Sequence, residues 1–141
     1  LIERIRRISQ YSGRIKLYNL DAVSFMQEVL PGLTKKNLVY LDPPYYKKGQ
    51  DLYENHYRQE DHKQIAELVT NQVKQPWIVS YDAAPEIISL YKGYNQLLYS
   101  ISYSAQDRYA GAEVIIYSGL KVPHVKNPAT AKIPALQQSL L

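Results

Sequence analysis

The run NLVYLDPPYY, residues 37–46, decides how the rest of the chain is read. Its first half, Asn37 to Leu41, is an apolar stretch short enough for a strand buried on both faces, as the strands of parallel sheets are. Asp42 then stands at the carboxyl end of that strand, followed by Pro43, Pro44, Tyr45 and Tyr46. Aspartate and proline are ordinary turn residues, so a strand-ending turn is the plainest account. In open α/β sheets, however, ligands bind beyond the carboxyl ends of the strands, which makes the same position the floor of a site. The surrounding sequence chooses between the two.

Working outward, strands and helices alternate. RIKLYN, residues 14–19, alternates apolar and polar positions and predicts a strand. Asp21 then opens a helical pattern through Val23, Phe25, Met26 and Val29 that stops at Pro31 and Gly32. On the other side, residues 46–58 carry charges, Gly49 and three tyrosines without a period, which reads as a loop. Glu60 to Val73 predicts a helix with Ile65, Leu68 and Val69 inward. WIVSY (77–81) predicts a buried strand and APEIISLY (84–91) a short helix with Pro85 in its first turn. Residues 94–104 and 112–118 predict two strands of a hairpin, joined by a basic loop. At the start, apolar positions 1, 2, 5 and 8 mark one face of a helix that no capping residue precedes, as though the chain began inside it. Residues 1–120 therefore predict an α/β sheet, mostly parallel with an antiparallel C-terminal hairpin, and residues 121–141 an extended or disordered tail. Asp21, Asp42 and Asp82 all follow predicted strands and are placed to line one crevice.

Composition narrows the function classes. The 141 residues are 45% hydrophobic and 21% charged, far from the balance of a disordered chain, and no apolar run approaches a membrane span. The formal charge of +4 suits a polyanionic partner. Absence of cysteine excludes disulfides and thiolate metal sites, and with no leader-like segment the expected compartment is the cytoplasm. His56, His62 and His124 lack metal-ligand spacing. Fourteen tyrosines against one Phe and one Trp supply stacking faces that also carry a hydroxyl, although many fit a half-buried sheet.

An aspartate followed by two prolines and a tyrosine suits one chemical problem, making an exocyclic aromatic amine nucleophilic. The lone pair of such a nitrogen is delocalised into its ring, and acceptors on both N–H groups favour the pyramidal form that attacks a methyl sulfonium. The Asp42 carboxylate offers one acceptor and a backbone carbonyl of the Pro43–Pro44 segment the other, aimed by the fixed φ of proline. Tyr45 stacks on the base, a contact worth roughly 1–3 kcal/mol. That offsets part of the few kcal/mol spent in taking the base out of a duplex.

VYLDPPYY resembles motif IV of the amino-group methyltransferases that use S-adenosylmethionine, and its surroundings resemble the D12 class of N6-adenine DNA methyltransferases, the Dam-like family. KLYNLDAVSFM before it, WIVSYDAAPEIISLY after it and YSAQDRYAGAEVIIYS near the end stand in the expected order, so the resemblance covers about residues 1–118. It implies a Rossmann-like S-adenosylmethionine-dependent methyltransferase sheet and transfer of a methyl group to the N6 amine of a flipped adenine in double-stranded DNA, as in restriction-modification enzymes. It also implies that Asp42, Pro43, Pro44 and Tyr45 are the catalytic motif, and that Leu20 and Asp21, together with Asp42, contact the cofactor. For Asp21 the bland reading is a helix N-cap, which does not exclude touching a ligand; for Asp82 it is a cap or turn residue. Lys47, Lys48 and Arg108 are candidates for phosphate contacts, and equally for solvated surface; Tyr53 and Tyr57 are candidates for base contact.

One departure from the family pattern is large. None of the six glycines forms the Phe-x-Gly-x-Gly motif that holds the cofactor's methionine, so the chain is expected to be the C-terminal portion of a methyltransferase whose N-terminal part is missing; activity is expected of the intact parent and need not belong to this piece alone. The alternatives are a catalytically dead methyltransferase-like module that binds nucleic acid or a partner, and a methyltransferase of RNA bases or of protein glutamine. The sequence leaves the oligomeric state open.

Overall fold

A computed structural model describes residues 1–34, 36–47, 57–102 and 110–122, with the side chains of 100–102, 110 and 111 excepted. Four strands are placed, β1 (Val39–Leu41), β2 (Trp77–Asp82), β3 (Asn95–Ser102) and β4 (Ala110–Ser118). They form one sheet in the order β1-β2-β4-β3. Only β1 and β2 run parallel; β4 enters antiparallel between β2 and β3. The result is a mixed α/β fold consistent with a methyltransferase, but among the described strands the sheet is not mostly parallel. The hairpin does not merely extend the edge: its second strand, not its first, meets β2.

The predicted strand over 14–19 is absent. Ser12–Arg14 form a 3-10 turn and residues 15–20 have no regular structure. Alternation fixes a strand only if one face is buried, and here Leu17 is 93% exposed, with Ile15, Tyr18 and Leu20 also open. The helix expected at the start forms as α1 (Ile2–Ser9), yet its apolar stripe of Ile2, Ile5 and Ile8 faces solvent. The helix after Asp21 begins as one α-turn, α2 (Ala22–Ser24), and continues as a π-turn (Phe25–Val29) and a 3-10 turn (Leu30–Gly32) before Leu33 turns extended.

The two remaining helices, α3 (Gln59–Asn71) and α4 (Pro85–Leu90), cover one face of the sheet. Ile65, Leu68 and Val69 of α3 and Ile87 of α4 are buried against Val39, Trp77, Val79, Tyr81, Val114 and Ile116. The strand residues in that set alternate, and the register pairs Val79 with Ile116 and Tyr81 with Val114, so each strand turns every second side chain toward the helices. On the opposite face Tyr40 and Leu97 are exposed. Gly119, directly after β4, has φ +71°, and a Cβ there would crowd the Pro76 backbone at 3.2 Å, so glycine suits the turn that closes on the start of β2. Residues 123–141, the expected tail, lie outside the described residues.

Candidate active site

β1 ends at Leu41, and the chain from Asp42 to Lys47 bends across the carboxyl end of β2. Strand pleating puts Ser80 and Asp82 on the same side of β2, and these two residues hold the two ends of the bend. Ser80 Oγ donates to Asp42 Oδ1 at 2.7 Å. Its single proton being so used, the Tyr40 hydroxyl 3.0 Å away is the donor to Ser80. Asp82 is 5% exposed; its Oδ1 accepts from the Tyr46 amide at 2.7 Å and its Oδ2 from the Lys47 amide at 2.8 Å. The Asp42 carboxylate remains exposed, with Pro43, Pro44 and Tyr45 half-buried beside it. An oriented, solvent-facing acceptor at a strand end is what an incoming N–H donor needs.

A second carboxylate backs this arrangement. Glu113 of β4 lies opposite Asp82 in the antiparallel register, is 3% exposed and accepts from the Tyr99 hydroxyl at 2.7 Å. Burial, then the hydrogen bond to Glu113 and its charge, push the Tyr99 phenol well above its ordinary range, and the nearby Tyr40 and Asp42 add to it. Tyr99 therefore stays a protonated donor.

Beneath the bend lies an aromatic box around His62, on the first half of α3. The imidazole is 1% exposed, with Tyr46, Tyr57 and Tyr81 rings at 5.3, 5.5 and 5.5 Å. Its Nδ1 is 3.1 Å from the Tyr81 hydroxyl, while Nε2 has no partner among the described residues. Burial lowers the His62 pKa, partly offset by the Asp61 and Asp82 carboxylates, so the ring is neutral near pH 7.

Tyr57 links this box to a small open cleft of about 70 Å³, lined by Asp21, Val23, Tyr57, Asp61, Gln64 and Ile65. Asp21 caps α2 there, accepting from the Val23 amide at 2.8 Å. Asp61 likewise accepts from the Arg58 amide at 2.7 Å at the start of α3. Burial chiefly, then the Asp21 and Asp61 charges, hold the Tyr57 phenol above its usual range. Leu20 is 47% exposed and does not line the cleft.

The D12 class N6 adenine-specific DNA methyltransferase family model matches residues 2–106. The chain belongs to that family. No curated protein matches it. The match takes in the Asp42–Tyr45 motif, α3, β2, α4 and β3, and stops short of β4, whereas the resemblance read from the sequence ran to about residue 118.

For this D12 methyltransferase the expected site residues divide three ways. Asp42 to Tyr45 form the bend, Asp21 lines the cleft, and Tyr57 joins the two through His62, which was not among the expected residues. Lys47 is exposed beside the bend. Lys48, Arg108 and Tyr53 lie outside the described residues. Tyr57, a candidate for base contact, packs against His62 and lines the cleft. Asp82, expected to line one crevice with Asp21 and Asp42, holds the far end of the bend, whereas Ser80, Glu113 and His62 carried no expectation of a working role. The available signal was polar residues closing an otherwise apolar strand, Ser80 and Asp82 in WIVSYD. Among the described residues no group of three or more His, Cys, Asp or Glu side chains is placed to hold a metal, and no helix is long and apolar enough to cross a membrane.

Proposed function

We propose that this D12 methyltransferase chain carries the target-base half of an S-adenosylmethionine-dependent reaction that methylates the N6 amine of an adenine flipped out of double-stranded DNA. The observation that carries the reading is the exposed Asp42 carboxylate, fixed by Ser80 at the head of a bend whose far end Asp82 holds. The donor set fits the cofactor in part. Asp21 and Asp61 beside Tyr57 suit the amine and ring of an adenine, and Asp42 suits a cationic sulfonium. No glycine pair in the chain offers the close backbone approach that the methionine end needs. The lack of such a glycine pair is the reason to weigh a module that binds without catalysing.

Bound S-adenosylmethionine supplies a methyl group on a positively charged sulfur. Asp42 accepts one N6 proton in a hydrogen bond, and a carbonyl of the Pro43–Pro44 segment accepts the other, which localises the lone pair on nitrogen. As the N–C bond forms and the C–S bond breaks, one N6 proton passes to Asp42 and from its exposed oxygen to water. Tyr45 stacks on the flipped ring, and Lys47, Lys48 and Arg108 meet the flanking phosphates. The setting is the cytoplasm, in a restriction-modification or related role.

Calorimetric titration with S-adenosylmethionine and transfer of labelled methyl to unmethylated duplex DNA test this, on the parent chain and on Asp42→Ala and Asp21→Ala. Expected are weaker cofactor binding in both variants and loss of N6 labelling in Asp42→Ala. Labelled RNA or glutamine in place of adenine, or cofactor binding indifferent to both changes, sinks the reading. Cofactor bound but no methyl transferred, with transfer restored by a polypeptide carrying the glycine-rich motif, supports the divided site.

A further inference from the structure

We propose that Asp82 is a positioning residue for methyl transfer: its carboxylate, reading the Tyr46 and Lys47 amides together, sets the curvature of the bend and with it the aim of Asp42 and of the Pro43–Pro44 carbonyls. The inference rests on the methyl-transfer reading above and adds to it a residue outside the four-residue motif.

For a strand position this carboxylate is an unusual choice. Aspartate is depleted in strands, yet Asp82 is paired in β2 and 5% exposed. Its cross-strand neighbour is another buried carboxylate, Glu113, 3% exposed, so two acidic side chains stand side by side in the sheet. Local choices that oppose stability mark working sites.

Geometry says what the work is. Two adjacent amides, at 2.7 and 2.8 Å, point at the two oxygens of one carboxylate, so the chain at Tyr46 and Lys47 cannot swing without breaking both bonds. Ser80, two residues earlier on the same side of β2, holds Asp42. One rigid strand therefore spans the bend, and the segment between the two anchors contains Pro43 and Pro44, whose φ angles are fixed. Little freedom is left to lose when a base arrives. Tyr46, tied through its amide to Asp82, also lays its ring on His62, so the clamp reaches the box that carries Tyr57 and the cleft.

The decisive variant is Asp82→Asn. It keeps size and one acceptor but turns an amide donor toward the second N–H, so one of the two bonds is lost. Glu86→Gln, an exposed carboxylate on α4, is the control for charge. Amide hydrogen exchange of the 141-residue chain should quicken at Tyr46 and Lys47 by roughly ten- to a hundredfold in Asp82→Asn, the range expected for a bond to a charged group. Exchange at Val79 and Ile116 should stay as in the parent. In duplex methylation kcat should fall while the KM for S-adenosylmethionine holds, and Asp82→Ala should be worse in the same direction. Unchanged exchange at Tyr46 and Lys47, or faster exchange throughout the sheet, overturns the clamp. Local loosening with full methylation overturns its role in catalysis. A parent chain that methylates nothing, even with the glycine-rich motif supplied, refutes the methyl-transfer reading itself, while the exchange pattern still reports the clamp.

Discussion

Two tyrosines of the core should respond to the same substitution with opposite signs. Tyr91 is wholly buried, its ring lying between Trp77 at 6.2 Å and Tyr81 at 6.4 Å, and its hydroxyl has no hydrogen-bond partner among the described residues. Burial accordingly pushes its acidity far down, toward a permanently neutral phenol. A buried hydroxyl left unpaired costs about 1–3 kcal/mol of desolvation. Tyr91→Phe removes the group and keeps the ring contacts, but leaves a gap of one oxygen that gives back part of the gain. A net stabilisation of about 1 kcal/mol is expected, or roughly 3 °C in Tm for a domain of this size. Tyr81 is equally buried, but its hydroxyl meets His62 Nδ1 at 3.1 Å. Tyr81→Phe takes away the hydroxyl and leaves the imidazole with neither nitrogen partnered among the described residues, so a loss of about 1–3 kcal/mol is expected. Differential scanning calorimetry of both variants measures the contrast. A Tyr91→Phe protein less stable than the parent by about 1 kcal/mol or more would refute the reasoning, because it would mean that the hydroxyl was satisfied.

Other consequences are smaller or more local. His62 has a folded-state pKa below its unfolded value of about 6.5, so the unfolded chain binds the extra proton first and stability should fall as pH drops below about 6.5, at no more than about 1.4 kcal/mol per pH unit. Thermal melts at pH 7.5 and 5.5 should show a steeper loss in the parent than in His62→Gln, and equal slopes would remove His62 as the source. Ser80→Ala should cost about 1 kcal/mol at most, since Asp42 and Tyr40 both reach water, yet lower methylation by roughly tenfold through a less oriented carboxylate; full activity would show that Ser80 orients nothing. Leu17→Ser should change stability by less than about 0.5 kcal/mol, given its 93% exposure. A cost of 2 kcal/mol in a chemical melt would put Leu17 in a core that the structure does not give it.

Elements defined by their own periodicity could be read from the sequence. Ile65, Leu68 and Val69 announced α3 and the face it buries, and the apolar WIVSY announced β2. Asp42 was marked by its place directly after an apolar run, where a turn and the floor of a site read alike, and the Asp21 cap was legible because capping is a local act. What failed, or stayed hidden, depends on distance along the chain. The alternation of 14–19 is a true pattern that lacks a face to bury, and nothing within those six residues reveals that. The insertion of β4 between β2 and β3 depends on which strand edge is free, not on either strand's composition. The Asp82 clamp joins residues 36 and 35 positions apart, and His62 meets Tyr81 across 19. Such pairings become visible only when the sheet register is known.

The strand order also sets a timetable for folding. β4 is the last of the described strands in the sequence but lies inside the sheet, and among the described residues it supplies the antiparallel partners of β2, from Ser118 opposite Trp77 to Glu113 opposite Asp82. Until residues 110–118 arrive, β2 presents an unpaired edge, the kind that recruits other chains. These pairings are distant in sequence and therefore slow to form. A ribosome-bound or truncated chain ending before β4 would thus hold the motif strand and the helix of His62, but on a sheet with its central position empty. Aggregation of such intermediates, and rescue by a peptide spanning 110–118, would be the visible sign that the floor of the site is the last part of the molecule to set.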